Sequence, residues 1–223
     1  MSDLAVKDNA VVDFYKDSLD VGTEDMGESG QLPMIKVISS MGNYELTTGE
    51  AKEGMLYHTG FKRQEDKFDA HILCVKQYSL PDFIDKTKMK MTYVIGGVLK
   101  DDNTPFISFV KGFSLQSMWD FIGETSFVKK FHKVPMFALN IEVTTKDRPH
   151  DKYKNVKVFD FKIARDKKSV PIVEQDMGKL VFLKDSAAKF PERLDQLVNK
   201  KDENDPYTDA VNRTEEVTGA LEA

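Results

Sequence analysis

The sequence predicts an α+β protein that is mostly β. Three observations carry that expectation. Short β-type runs fill residues 34–111, a helical period interrupts them over residues 114–132, and the strongest two-residue alternation (Phe137, Leu139, Ile141, Val143) follows. Residues 34–39 read as the first strand, with Gly42-Asn43 and Thr48-Gly49-Glu50 as turns around a region that leads to a second strand over 54–60. Residues 61–69 read as a charged loop or hairpin tip. Residues 71–80 are almost continuously apolar, as a central strand would be. Residues 82–90 form a second polar, basic loop, and strands over 92–99 and 105–111 flank a hairpin connection. Gly96-Gly97 inside a strand pattern marks a bulge.

Ser114 fits an N-cap, and Leu115, Met118, Trp119 and Ile122 follow at helical spacing with Gly123 as the stop, which makes Trp119 a core residue. A second short helix over 125–132 would bury Phe127, Val128 and Phe131. Residues 135–145 form the alternating strand, 146–155 a polar loop, and 156–164 its partner strand, with Phe159, Phe161 and Ile163 facing inward and Asp160 and Lys162 outward. Helices over 174–189 and 191–200 close the fold, with Pro191 in a first helical turn. Short strands with a helix before the last hairpin suit an OB-like Greek-key β-barrel with an inserted central helix and a C-terminal helical extension. The expected organisation is a flexible acidic arm (1–30), a barrel core (31–165), a helical extension (166–201) and an acidic disordered tail (202–223).

Charge is sorted along the chain. Residues 1–51 hold 3 Lys/Arg against 10 Asp/Glu, residues 52–200 hold 27 against 20, and residues 201–223 hold 2 against 7. The basic middle also holds most aromatics, often beside a cation. A polyanion with flat bases suits such a surface, since phosphates pair with cations and bases stack on rings. The tail can compete for the same groove or recruit a basic partner. One cysteine, Cys74, lies in the apolar run HILCV, which excludes an internal disulfide framework and points to a buried thiol. The first residues lack a basic-then-apolar secretory pattern, and no apolar run approaches the ~20 residues of a membrane span, so a soluble cytoplasmic protein is expected. His58, His71, His132 and His150 show no metal-ligand spacing, and no phosphate-cradling or nucleophile motif occurs, so no cofactor is expected and the chain is read as a non-enzyme.

Three groups are candidates for nucleic-acid contact. Phe61, Lys62 and Arg63 follow Gly60 at a strand exit. Lys86, Lys88 and Lys90 would share one face of an extended segment, about 6.6 Å apart. Lys146, Arg148, Tyr153, Lys154 and Lys157 surround the loop before the last strand. Asp160-Phe161-Lys162 also matches the Asp-x-Lys element of Mg²⁺-dependent nucleases, with Glu142 as the available second carboxylate. A structural or adaptor protein of virion type, self-associating through residues 174–200, is the third class; a homodimer is compatible with it.

Three stretches carry a family likeness. They are Pro-x-Ile-Lys-Val at 33–37 followed by Thr-Gly-Glu at 48–50, Ile-Ser-Phe at 107–109 leading to a helix with Leu115 and Trp119, and Phe-x-Leu-x-Ile-x-Val-Thr-Thr-Lys at 137–146 before a closing aromatic strand. In this order the chain resembles phage-encoded single-stranded DNA-binding proteins over residues 32–165. The resemblance implies an OB-type fold acting on single-stranded DNA in replication or recombination, in the host cytoplasm, with replication or recombination proteins as partners of the acidic tail. Tails of such proteins often end in an aromatic residue; this one ends in Leu221-Glu222-Ala223.

Overall fold

The computed structural model describes residues 32–38, 49, 52–82, 87–150 and 154–199. The expected N-terminal arm, acidic tail and Gly42-Asn43 turn lie outside the described residues. Eight described strands form two antiparallel sheets, and two α-helices pack on them, so the α+β, mostly β expectation holds at that level. Strands β1 (Ile35–Val37), β2 (Leu56–His58) and β3 (Arg63–Glu65) make a three-stranded sheet. Strands β4 (Lys67–Pro81), β5 (Met89–Leu99), β6 (Pro105–Lys111), β7 (Ile141–His150) and β8 (Lys154–Ile163) make a five-stranded sheet in the order β6-β5-β4-β7-β8. The described strands thus form two sheets rather than one closed barrel. The sheets meet where Met34 bridges Ile107 in parallel and where the Thr145 hydroxyl donates to the Gly54 carbonyl at 2.7 Å.

β4 is central, as its apolar run predicts. It begins four residues earlier than expected because Lys67–Ala70 pair with Thr144–Ile141. The expected loop over 61–69 therefore contains β3 and the start of β4. The bulge is also where the glycines indicate. Between Ile72 and Cys74 the register shifts opposite Gly97 and Gly96, and a Cβ on Gly97 would come within 2.7 Å of the His71 carbonyl oxygen.

Helix α1 (Leu115–His132) corrects three expectations at once. It is one helix, not two, because Gly123 sits mid-helix facing open space and the Thr125 hydroxyl donates to the carbonyls of Phe121 and Ile122, tying the turns together. The joined helix is phased by Met118, Phe121, Thr125 and Val128, which are buried. Trp119, Phe127 and Phe131 then fall on the outer face and are exposed, contrary to the expectation that they pack in the core. Ser114 precedes the helix but makes no side-chain cap; its hydroxyl accepts the Phe159 backbone N–H at 3.2 Å. Helix α2 (Met177–Asn199) likewise runs through Pro191. Proline removes one backbone hydrogen bond there, while buried Phe190 and Leu194 anchor the chain on both sides.

Residues 136–138 form a 3₁₀ turn, so the alternating strand starts at Ile141 and not at Pro135. The expected polar loop over 146–155 is mostly strand, and the β7–β8 connection shrinks to residues 151–153. One face of the large sheet buries Phe68, Ile72, Ile95, Phe106, Val143, Phe159 and Phe161 against α1, Ile35 and Leu56. The opposite face packs Leu73, Cys74, Val94, Val98 and Ile107 against Phe182, Leu183, Phe190 and Leu194 of α2. No helix among the described residues is long and apolar enough to cross a membrane.

Candidate nucleic-acid interface

The first expected group sits on the β2–β3 turn. Phe61 is 60% exposed and stacks on the His58 ring, with centroids 5.0 Å apart and planes within 15°. His58 is fully buried, and desolvation pushes its pKa down to about 4 against a smaller upward pull from Asp102. A neutral His58 can accept the Phe61 backbone N–H at Nδ1, 3.3 Å away. Lys62 takes the left-handed conformation (φ 49°), and Arg63 pairs with Glu65 at 2.9 Å while lying over the Phe68 ring.

Lys88 and Lys90 stand at the far end of the β4–β5 hairpin, where the Asp82 N–H closes the turn onto the Lys88 carbonyl. Lys90 pairs with the buried Asp82 carboxylate. Lys111 is the third cation there, held below its ordinary pKa by burial against the opposing pull of Asp82. Lys86 lies outside the described residues.

The third group lies on β7 and β8. Residues directly paired across an antiparallel ladder share a face. The register Glu142↔Lys162, Thr144↔Asp160, Lys146↔Val158 and Arg148↔Val156 therefore puts Glu142, Lys146, Arg148, Asp160 and Lys162 on the outer face, joined by Lys67 of β4. Asp160 is buried, with one oxygen 2.8 Å from Lys146 Nζ and the other 2.8 Å from Lys162 Nζ. Burial opposes its ionisation, but the two lysine hydrogen bonds outweigh burial and hold its carboxyl below the ordinary range. With Lys67, Asp69 and Glu142 counted on the same face, three ammonium groups meet three carboxylates, and Arg148 adds one further positive charge. Lys67 is shared between Asp69 and Glu142.

Arg148 reaches over the ladder to the residues that follow β6. Its guanidinium donates to the Phe113 carbonyl at 2.6 Å and sits 5.9 Å from the Phe113 ring centroid, while the His150 ring meets Phe113 edge-on at 4.8 Å. Phe113 is 44% exposed. Gly112 permits this placement through its left-handed φ of 56°, in space that is open around it. Sequence reasoning missed Phe113 and His150. The signal was present: Lys111-Gly112-Phe113 at a strand exit repeats the Gly60-Phe61-Lys62 arrangement of glycine, aromatic ring and neighbouring cation.

Lys157 faces the other way, pairing with Asp147 at 3.0 Å and packing its stem on Gly54. Tyr153 lies outside the described residues, and of Lys154 only the strand position, opposite His150, is described.

These groups do not converge into one trough. Lys146 lies beyond the Lys67 end of β4 and Lys90 at its Pro81 end, fourteen residue steps apart, which is roughly 45 Å of strand. Helix α2 covers the sheet between them, its Asp195 bound to Lys76 and Tyr78 and its Lys179 to the Lys100 carbonyl. Phe61 sits past one end of β2, and Lys157 packs on Gly54 ahead of the other. The Asp-x-Lys pair does share its face with Glu142, as sequence spacing requires, but its carboxylate oxygens are both taken by lysines. Among the described residues no cluster of three His, Cys, Asp or Glu is placed to hold a metal ion. No family model, no curated protein and no solved structure matches the chain.

Proposed function

We propose that the chain binds single-stranded DNA on the outer face of the β7–β8 hairpin, in replication or recombination. The observation that carries this reading is the Phe113 ring, exposed yet held by Arg148 and His150 of β7, whose outer face also carries Lys146 and, further along the ladder opposite Glu142, Lys162 of β8. A base stacks on Phe113 while phosphates displace Asp160 from its two lysines. Arg148 orients the ring, and its own charge adds to the phosphate field. An exposed fixed ring costs little entropy to use, and ring stacking tolerates any base, so sequence preference is weak and salt dependence strong. The OB-type architecture belongs to this proposal too, supported by the two contacts that join the small sheet to β6 and β7. The acidic segment 202–223 competes with DNA for the cations or docks a replication partner.

The test is fluorescence anisotropy of a labelled oligodeoxythymidylate at low and high salt, with oligouridylate and duplex as competitors. Tight, salt-sensitive binding that Phe113→Ala weakens by roughly 5- to 100-fold, the equivalent of one lost stack, is the expected result. A structural or adaptor protein is the second reading, favoured by the aromatic outer face of α1. Absence of binding to every nucleic acid selects it.

A further inference from the structure

Glu174 is the point where the segment leading into α2 meets the large sheet. Its backbone N–H donates to the Ala138 carbonyl at 2.9 Å. Its Oε1 accepts the N–H groups of Gln175 and Asp176 at 2.9 and 3.1 Å, which fixes the carboxylate just ahead of the helix. Its Oε2 faces two basic groups, His71 Nε2 of β4 at 3.4 Å and Lys179 Nζ of α2 at 3.7 Å. Burial opposes ionisation of Glu174, but the two N–H groups, Lys179 and His71 outweigh it and hold the carboxyl below its ordinary range. Lys179 Nζ also donates to the Lys100 carbonyl at 2.8 Å, which ties the first turn of α2 to the chain that follows β5.

His71 is fully buried and has an acceptor at each ring nitrogen, since Nδ1 stands 3.1 Å from the Leu139 carbonyl oxygen. A neutral imidazole carries one N–H and can satisfy only one of them. With that proton on Nδ1, Nε2 is left without a hydrogen-bond partner among the described residues. Only the imidazolium serves both. Burial first, and then Lys179, keeps the ring neutral, with Lys100 adding to their push against Glu174 and the Leu139 carbonyl. The neighbouring charges are engaged with one another: Lys67 pairs with Asp69 and Glu142, and the Asp176 carboxylate accepts the Lys179 backbone N–H.

We infer that these groups form a proton-operated latch, in which Glu174 exchanges Lys179 for His71 when the ring takes up a proton. Two cations then compete for one carboxylate, and like charges so close disfavour each other. Lys179 is the one that can leave, because its side chain is 16% exposed while that of His71 is sealed from water. Its departure breaks the tie to Lys100, and the first turn of α2 loosens. The Glu174 anchor holds, because His71 now donates to it. The window lies below 6.5, the ordinary histidine value, since the folded ring is the harder one to protonate. The latch acts on the α2 roof and does not depend on the DNA reading, which uses a different surface.

The test follows the His71 ring by NMR, with amide hydrogen exchange of the full chain, from about pH 7.5 down to 4.5. His71 should titrate while the sheet remains folded. Across that titration the amides over 180–183 should exchange about tenfold faster or more, once the intrinsic pH dependence is removed, while the Glu174 amide stays protected. Lys179→Met keeps the aliphatic stem and removes the competing ammonium. It should raise the His71 midpoint and leave exchange over 180–183 indifferent to pH. Glu174→Gln should lower the midpoint. His71→Gln should also flatten the pH dependence over 180–183, whereas His58→Gln should not. A His71 that stays neutral until the whole chain unfolds overturns the inference. So does a midpoint indifferent to Lys179→Met, or exchange that rises equally at Glu174 and in α2.

Discussion

One face of the large sheet has two halves that behave differently. Over β4, β5 and β6 it is apolar and roofed by α2, with Gly96 left bare so that the Phe190 ring can fill the space a Cβ would take, 2.1 Å away. Over β7 and β8 the roof ends and the same face turns to Lys67, Glu142, Lys146, Arg148, Asp160 and Lys162. Backbone geometry is shared; only the side chains change. The sheet is therefore a common support. Stability belongs to the roofed half, and the capacity to meet a charged ligand belongs to the open half.

Removing the roof's anchor gives the largest effect. Phe190→Ala should cost about 3–5 kcal/mol in urea unfolding, because it empties the space that Gly96 leaves. At concentrations where the variant remains folded, its DNA affinity should equal the parent's; a loss would mean the two halves are coupled. Acid sharpens the comparison next. His58 is neutral in the fold with a pKa near 4, so the unfolded chain takes up the proton first as pH falls below about 6.5. Stability from His58 is fully present above that value and is lost as pH falls to about 4, by up to about 3 kcal/mol. His71, buried with its Nδ1 3.1 Å from the Leu139 carbonyl oxygen, is shifted in the same direction. Asp160 acts in a separate window. Its lowered pKa contributes stability above the ordinary carboxyl range, lost only in stronger acid. Melting temperature against pH should thus show a limb between 6.5 and 4 that His58→Gln reduces and Asp160→Asn leaves in place.

Phe113→Ala should have no more than about 0.5 kcal/mol effect on unfolding, since the ring is exposed, while costing about 1–3 kcal/mol in oligonucleotide binding. The smallest effect is expected from Asp160→Asn. It frees two lysines from their carboxylate, so affinity should rise by a few-fold, on the order of 1 kcal/mol, with a steeper salt dependence. Weaker binding, or loss of a Mg²⁺-dependent cleavage, would instead place Asp160 in a nuclease site.

The β core was legible where one face is apolar and the other is not. Ile141 and Val143 alternate with polar neighbours, as do Phe159, Phe161 and Ile163, while the alternation read further back through Phe137 falls on a 3₁₀ turn; the central run through Cys74 is apolar on both faces because α1 and α2 each cover one. The distal hairpin was illegible for the converse reason. Lys146, Asp147, Arg148, Pro149 and His150 present no apolar face, so hydropathy reads a loop where the backbone ladder continues. Gly123 and Pro191 look like helix ends by local propensity alone, yet burial of Phe121 and Val128, and of Phe190 and Leu194, carries both helices through. The exposure of Trp119 follows from that same continuity, since spacing from Leu115 to Ile122 fits two faces and only the later turns decide between them. Phe113 was missed because it stands outside any periodic segment.

The most direct test of the account compares two double variants in the same anisotropy titration, Lys146→Ala with Arg148→Ala on the open half and Lys88→Ala with Lys90→Ala at the other end of β4. The account predicts a large loss of affinity and a shallower salt dependence for the hairpin pair, with little change for the distant pair. Equal losses from the two pairs, or a loss confined to Lys88 and Lys90, would contradict it.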